Sequence, residues 1–189
     1  MSARAGKDRW SACIGSFHTN KGVELAELTH LESKLGEVVG LAMAAQAATK
    51  KVATLARADK RSGLVALLEK MNAEAKEAEE RGQAIAATFD GKKSAILGEA
   101  REVKKKGAEM MTTYLDGESD SLDGLEFLTM AEAGEVGHWE ILARFNKRAR
   151  HPGVKELTAW GLPIQKRHLT DVRASSLQIV DSEDPDETA

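Results

Sequence analysis

The sequence predicts an all-α fold, an antiparallel four-helix bundle with an additional helix. Three observations predict it. Alanine, leucine, glutamate and lysine dominate the 189 residues, aromatics make up 4%, and strand-forming runs of Val, Ile, Thr and Tyr are absent. Apolar residues recur at spacings of three and four over long stretches. Short polar turns separate those stretches, the pattern of consecutive antiparallel helices. The length suits one domain with tails. Residues 21–180 are assigned to the bundle, 1–20 to a weakly ordered or short helical segment, and 181–189 to an acidic disordered tail.

The elements follow in order. In residues 1–20, "DRWSACIGSF" has the makings of a short helical turn anchored by Trp10 and Phe17, and "HTNKG" resets the chain. The first long helix is read from Leu28, Leu31, Leu35, Val38, Ala42, Ala45, Val52 and Ala56, with Thr49 in step. Its alanine-rich second half lets a neighbouring helix approach closely. "RADKRSG" at 57–63 is a polar break. A second helix is read from Leu64, Leu68, Met71, Ala75, Ala78, Gly82, Ile85 and Phe89, and "DGKK" at 90–93 is a turn. A third carries Ile96, Ala100, Val103, Gly107 and Met110 within a strongly polar stretch. The loop "DGESDS" at 116–121 supplies Ser or Asp to cap a fourth helix over about 121–149, which "HPG" at 151–153 ends. A fifth segment covers about 154–180. Gly161 and Pro163 in "WGLP" predict a kink or restart there.

Composition also bounds function. The hydrophobic fraction of 42% is enough for a sizeable core. A net charge of −3 argues against nucleic acid, which wants a basic face, and local runs such as "KKK" at 104–106 read as solvated helix faces. The single cysteine, Cys13, excludes an intramolecular disulfide framework and has no local base to make it a nucleophile. No apolar run approaches the roughly 20 residues of a membrane span, and no secretory signal is evident, so a cytoplasmic location is expected. Glycine-rich phosphate loops and zinc-type cysteine pairs are absent. Trp139 and Trp160 read as core or interface anchors.

Chemistry concentrates in Glu-x-x-His pairs. Glu135 and His138 fall on one stripe with Leu128, Ala131, Leu142 and Phe145, and a carboxylate and imidazole on such a stripe need a partner. Either they satisfy each other or they hold a ligand. Glu27 and His30 sit in a charged row with Lys34 and Glu37 and read as solvated surface. Glu32 flanks Leu28 and Leu35, and Glu74 lies between Met71 and Ala78, so both are boundary carboxylates. His168 is in register with Leu157, Ile164 and Val172, as a satisfied core histidine or a ligand. Carboxylates and imidazoles offered by four helices suit iron, manganese or zinc.

These segments carry a family resemblance. "EVGHWEIL" resembles the "VEHYEI" segment of the YciE/YciF-like family of the ferritin superfamily, a group linked to bacterial stress responses. "AILGEAREVKKKG" is similar to that family's third-helix stretch, and "LTHLESKL" to its first-helix "YSAEKQL", which puts Glu32 on the family's first-helix carboxylate. "NAEAKEAEERGQAI" resembles its second-helix segment, with Glu74 near the carboxylate, and "LPIQKRHLTDV" is similar to its "LDEEKxxDxxL". The resemblance implies a ferritin-like bundle, usually a homodimer, with a two-metal carboxylate site between helices, and it implies no established catalytic activity. The chain departs from the pattern where Gly137 replaces a glutamate, and where Pro163, Ile164 and Gln165 replace an acidic run.

Two functions are therefore expected as alternatives. One is a metal-binding stress-response protein with Glu32, Glu74, Glu135, His138 and His168 as ligands to iron or manganese, handling oxygen or peroxide. The other is a metal-free helical protein acting through dimerisation or partner docking, in which the same residues form a buried network. The sequence leaves open whether the chain is an enzyme.

Overall fold

The computed structural model describes residues 26–184 and residue 186; the assignments for residues 1–20 and for the end of the acidic tail lie outside them. Five helices follow one another: α1 (His30–Ala58), α2 (Ser62–Ala86), α3 (Lys93–Tyr114), α4 (Ser121–Ala149) and α5 (Pro152–Val180). The all-helical bundle with an additional helix is present. Among the described residues no helix is long and apolar enough to cross a membrane.

Local chemistry sets the ends. Thr29 and Glu32 form a capping box at the start of α1, and Asp120 and Asp123 form one at the start of α4. The second matches the capping role expected of the 116–121 loop. Between α4 and α5, Arg150 turns the chain at φ 58°, and Asn146 clasps both backbone groups of His151 at 2.9 and 3.0 Å. His151 then caps α5 and Pro152 fills its first turn, where a missing N–H costs nothing. The "HPG" stretch thus starts α5 as much as it ends α4.

The pairing of helices is read from the closest approaches. On α1 and α2, Val39 meets Gly82, while Asn72 bonds Gln46 and Thr49, so the two run antiparallel. On α4, Gly124 meets Val52 of α1, and Phe145 stacks on His30, so α4 is also antiparallel to α1. The contacts of Trp139 with Gly161 and of Glu74 with His168 place α5 antiparallel to both α4 and α2. The core is therefore two hairpins, α1–α2 and α4–α5, joined by one long crossover, the connectivity of ferritin-like bundles. The crossover is itself helical: α3 lies parallel to α1 on its outer side. Gly36 and Gly40 permit this, since a Cβ there would sit 2.6 Å from the Ile96 carbonyl and 2.4 Å from that of Ala100.

One expectation changes. The fifth segment is a single helix from 152 to 180, with no restart at "WGLP". Pro163 is exposed, as is Ala159, so the carbonyl that loses its N–H donor belongs to the solvent-facing side of the helix.

The core divides lengthwise. One apolar cluster gathers Leu35, Val39, Ala42, Ala78, Trp139, Leu142 and Leu157. Another, toward the opposite end, gathers Ala48, Val52, Leu68, Met71, Leu125, Leu128 and Val172. The layer between them is polar.

Candidate functional site

That layer is built by α4 and α5. Along α4 the buried positions include Leu125, Leu128, Glu132, Glu135, Trp139, Leu142 and Asn146, alternating by three and four. Along α5 they include Leu157, Gly161, Gln165, His168 and Val172. Glu132, Glu135, Gln165 and His168 are 2–3% exposed. On the other two helices, alanines occupy the buried positions bordering this level: Ala42 and Ala45 on α1, Ala75 and Ala78 on α2. The layer is one-sided apart from Glu74, which reaches into it from α2.

His168 is its centre. Nε2 lies 2.7 Å from Oε2 of Glu74, reaching across from α2. Nδ1 lies 3.7 Å from Oε2 of Glu132, within ion-pair reach but short of a hydrogen bond. Arg167 also donates to Glu74. Burial pulls the His168 pKa down, but Glu132 and then Glu74 outweigh it and leave it above the ordinary 6.5. Burial likewise pushes Glu74 up, and the hydrogen bonds from His168 and Arg167 win, holding it below 4.5. The Glu74 carboxylate and the His168 imidazole thus each favour the charged form of the other.

Glu135 is different. Burial, with the Glu132 charge as a second cause, drives its pKa well above 4.5, so it holds a proton when ordinary carboxyls have lost theirs. Oε2 of Glu132, Oε2 of Glu135 and Oε1 of Gln165 are buried and have no hydrogen-bond donor among the described residues, and Nε1 of Trp139 has no acceptor. Three buried acceptors without donors call for a cation or a proton.

Access comes from one side. A cleft of about 220 Å³ between α1, α3 and α4 has Leu41, Ala44, Ala48, Met110, Phe127 and Met130 in its walls. Glu132, Glu135 and His138 also line it.

The five residues expected from sequence separate into groups. Glu74, Glu135 and His168 belong to the layer. His138 does not lie on the buried stripe: its side chain is 37% exposed, its Nδ1 is 2.9 Å from Glu37, and it borders the cleft. Glu32 is engaged at the start of α1, where its carboxylate accepts from the Thr29 N–H at 2.7 Å, remote from the layer by about ten residues, or roughly 15 Å of helix. Glu27 and His30 are on the surface. Sequence reading missed Glu132. The stripe drawn through Ala131 and His138 was one position off, and the signal was available: Leu125, Glu132, Trp139 and Asn146 repeat every seven residues.

Among the described residues, no group of three or more His, Cys, Asp or Glu side chains is arranged to hold a metal ion as it stands. Fold and site together define a helical bundle with a one-sided, acid-rich core centre. Compared with protein-family models, curated proteins and solved structures, the chain matches none.

Proposed function

We propose that the chain is a ferritin-like bundle whose core layer binds a single divalent metal ion of the iron, manganese or zinc type. The observation carrying this reading is the set of donorless buried acceptors, Glu132 Oε2, Glu135 Oε2 and Gln165 Oε1, beside an imidazole. Carboxylate and imidazole donors suit those ions. The donors are too few for two ions, because α1 and α2 border the level with Ala42, Ala45, Ala75 and Ala78.

In this reading Glu132, Glu135 and His168 hold the ion, and Glu74 orients the imidazole from its far nitrogen, as carboxylates commonly do behind a ligating histidine. The ion would supply Lewis-acid or redox chemistry. The chain supplies the proton balance: Glu135 and His168 both hold their protons above ordinary pH values and must release them to ligate, so affinity rises with pH.

A second reading is favoured by the protonated Glu135. The Glu132–Glu135 pair is then a metal-free polar layer, and function lies in assembly, including the homodimer that the family resemblance implies. One titration separates the two. Manganese or ferrous ion under nitrogen, added at about pH 8 and about pH 6 to chelator-treated protein, should bind near one per chain, more tightly at the higher pH. Binding should be lost in Glu132→Ala and kept in Glu32→Ala. Absence of saturable binding at either pH supports the metal-free layer.

A further inference from the structure

The cleft between α1, α3 and α4 exists because small residues face it. Ala44, Ala45 and Ala48 of α1, Gly107 of α3, and Ala131 and Gly134 of α4 leave about 220 Å³ open. A cavity of about 150 Å³ already holds benzene, so this one has room for a ring with a short chain. The larger side chains in its walls, Leu41, Phe127, Leu128, Met110 and Met130, are apolar. Met110 and Met130 are 44% and 39% exposed, and flexible, unbranched side chains of this kind fold readily over a bound molecule.

Two lining groups do not suit an empty apolar cleft. Glu132 and Glu135 are 2% and 3% exposed, and Oε2 of each has no hydrogen-bond donor among the described residues. They lie three apart on α4, so both carboxyls stand on the same wall. A molecule matching this wall must donate hydrogen bonds, because both open atoms accept. It must carry positive charge, because both groups are acids. It must be apolar elsewhere, because the other walls offer its polar atoms no partner. An ammonium group meets the first two demands with three freely rotating N–H donors. A guanidinium fits less well, since its five donors in a fixed fork outnumber the open acceptors.

We propose that the cleft is a binding site for a small primary amine with an apolar body. Its ammonium lies on Glu132 and Glu135, and its body lies against Leu41, Phe127, Met110 and Met130. The head alone buries no apolar surface, and the body alone leaves the two acids unpaired, so recognition requires both parts of one molecule. The site needs only the cleft and its two open oxygens, and so stands apart from the metal reading. An ammonium and a metal ion are alternative occupants of one acidic wall.

Phenethylamine is the probe, titrated by calorimetry into the full chain at about pH 7.5, where an alkylamine is charged. Chelator is present throughout, so failure of the metal reading leaves the outcome standing. The expected result is saturable binding of one amine per chain with a Kd below about 1 mM. Phenethyl alcohol has the same body without the charge, and methylammonium has the charge without the body. Each should bind at least about tenfold more weakly. Glu132→Gln should weaken the amine by about tenfold or more. Glu126→Gln, at an exposed acid of the same helix, should change it by less than about twofold, with helix content unchanged in both variants. Absence of saturable binding overturns the proposal, as does equal binding of the alcohol or of methylammonium, or an equal effect of the two substitutions. Should Glu132→Gln fail to fold, the three ligands on the parent chain decide the matter.

Discussion

The indole ring of Trp139 occupies the space in which any residue but glycine at 161 would place its Cβ: a methyl there would lie 2.3 Å from two ring carbons. The two helices of the second hairpin thus meet ring against backbone at the edge of the polar layer. Gly161→Ala gains about 1 kcal/mol of helix propensity. It loses more, because Trp139 is fully buried and has no room to withdraw. Overpacking typically costs 1–3 kcal/mol, and this clash belongs at or beyond the upper end, so a net loss of about 2 kcal/mol should appear as a lower urea midpoint. A neutral Gly161→Ala would show that the hairpin can open at no cost.

The Glu74–His168 pair should behave as a strongly coupled unit. His168→Ala removes the cation beside Glu132, which is 2% exposed, and breaking a buried pair in this way costs about 3 kcal/mol. Glu74→Gln should cost less, near 1 kcal/mol, because that carboxylate is partly solvated and a neutral amide still accepts a hydrogen bond. The double variant should cost clearly less than the sum, and additivity within about 0.3 kcal/mol would count against the pairing.

Stability should depend on pH in a definite direction. The unfolded chain loses the Glu135 proton near 4.5 while the folded chain keeps it, so the folded state binds more protons above that pH. Stability from Glu135 therefore falls as pH rises from about 4.5 toward its raised folded value. His168 acts the same way from 6.5 upward. Glu74 acts oppositely, its contribution fading as pH falls below 4.5. In chelated protein, Glu135→Gln should match the parent at about pH 5 and exceed it at about pH 8, by roughly 1–3 kcal/mol if desolvation of the ionised carboxylate is removed. A variant weaker at both pH values would contradict a protonated Glu135.

Pro163 offers a gain. It sits exposed within α5, where alanine would restore an N–H for the Ala159 carbonyl. Pro163→Ala should stabilise the bundle by about 1–3 kcal/mol, read by thermal unfolding, and loss of stability would mean the proline sets the path of α5.

Much of this architecture was legible because each helix carries an apolar stripe that must be buried, and polar turns separate them. The capping loop before α4 and the break after α1 followed from side-chain chemistry alone. The site was only half legible. Glu74 was placed beside a stripe and His168 on one, but their contact joins residues 94 apart, which spacing within one helix cannot show. Glu132 was hidden because a helix stripe drifts, and a fit through Ala131 and His138 is almost as good as the true one through Glu132 and Trp139. Glu32 was drawn toward the site by its place beside Leu28 and Leu35 as well as by family likeness, whereas its position three residues after Thr29 gives it a capping duty. At "WGLP" the two helix-weakening residues pointed to a kink or restart, yet the helix does not restart: one faces solvent and the other faces a tryptophan.

The crossover helix has a consequence for how the molecule breathes. The buried residues of α3, Ala95, Ile96 and Ala100, lie in its first two turns, and nothing from Arg101 to Tyr114 is fully buried. Cohesion along α3 is therefore graded, firm where it leaves the first hairpin and slack toward the second. The slack end carries Gly107 and Met110, the rim of the cleft. Fluctuations that leave the four-helix core intact are expected at this edge, so among the described residues a loosely held stretch of helix borders the acid-rich interior.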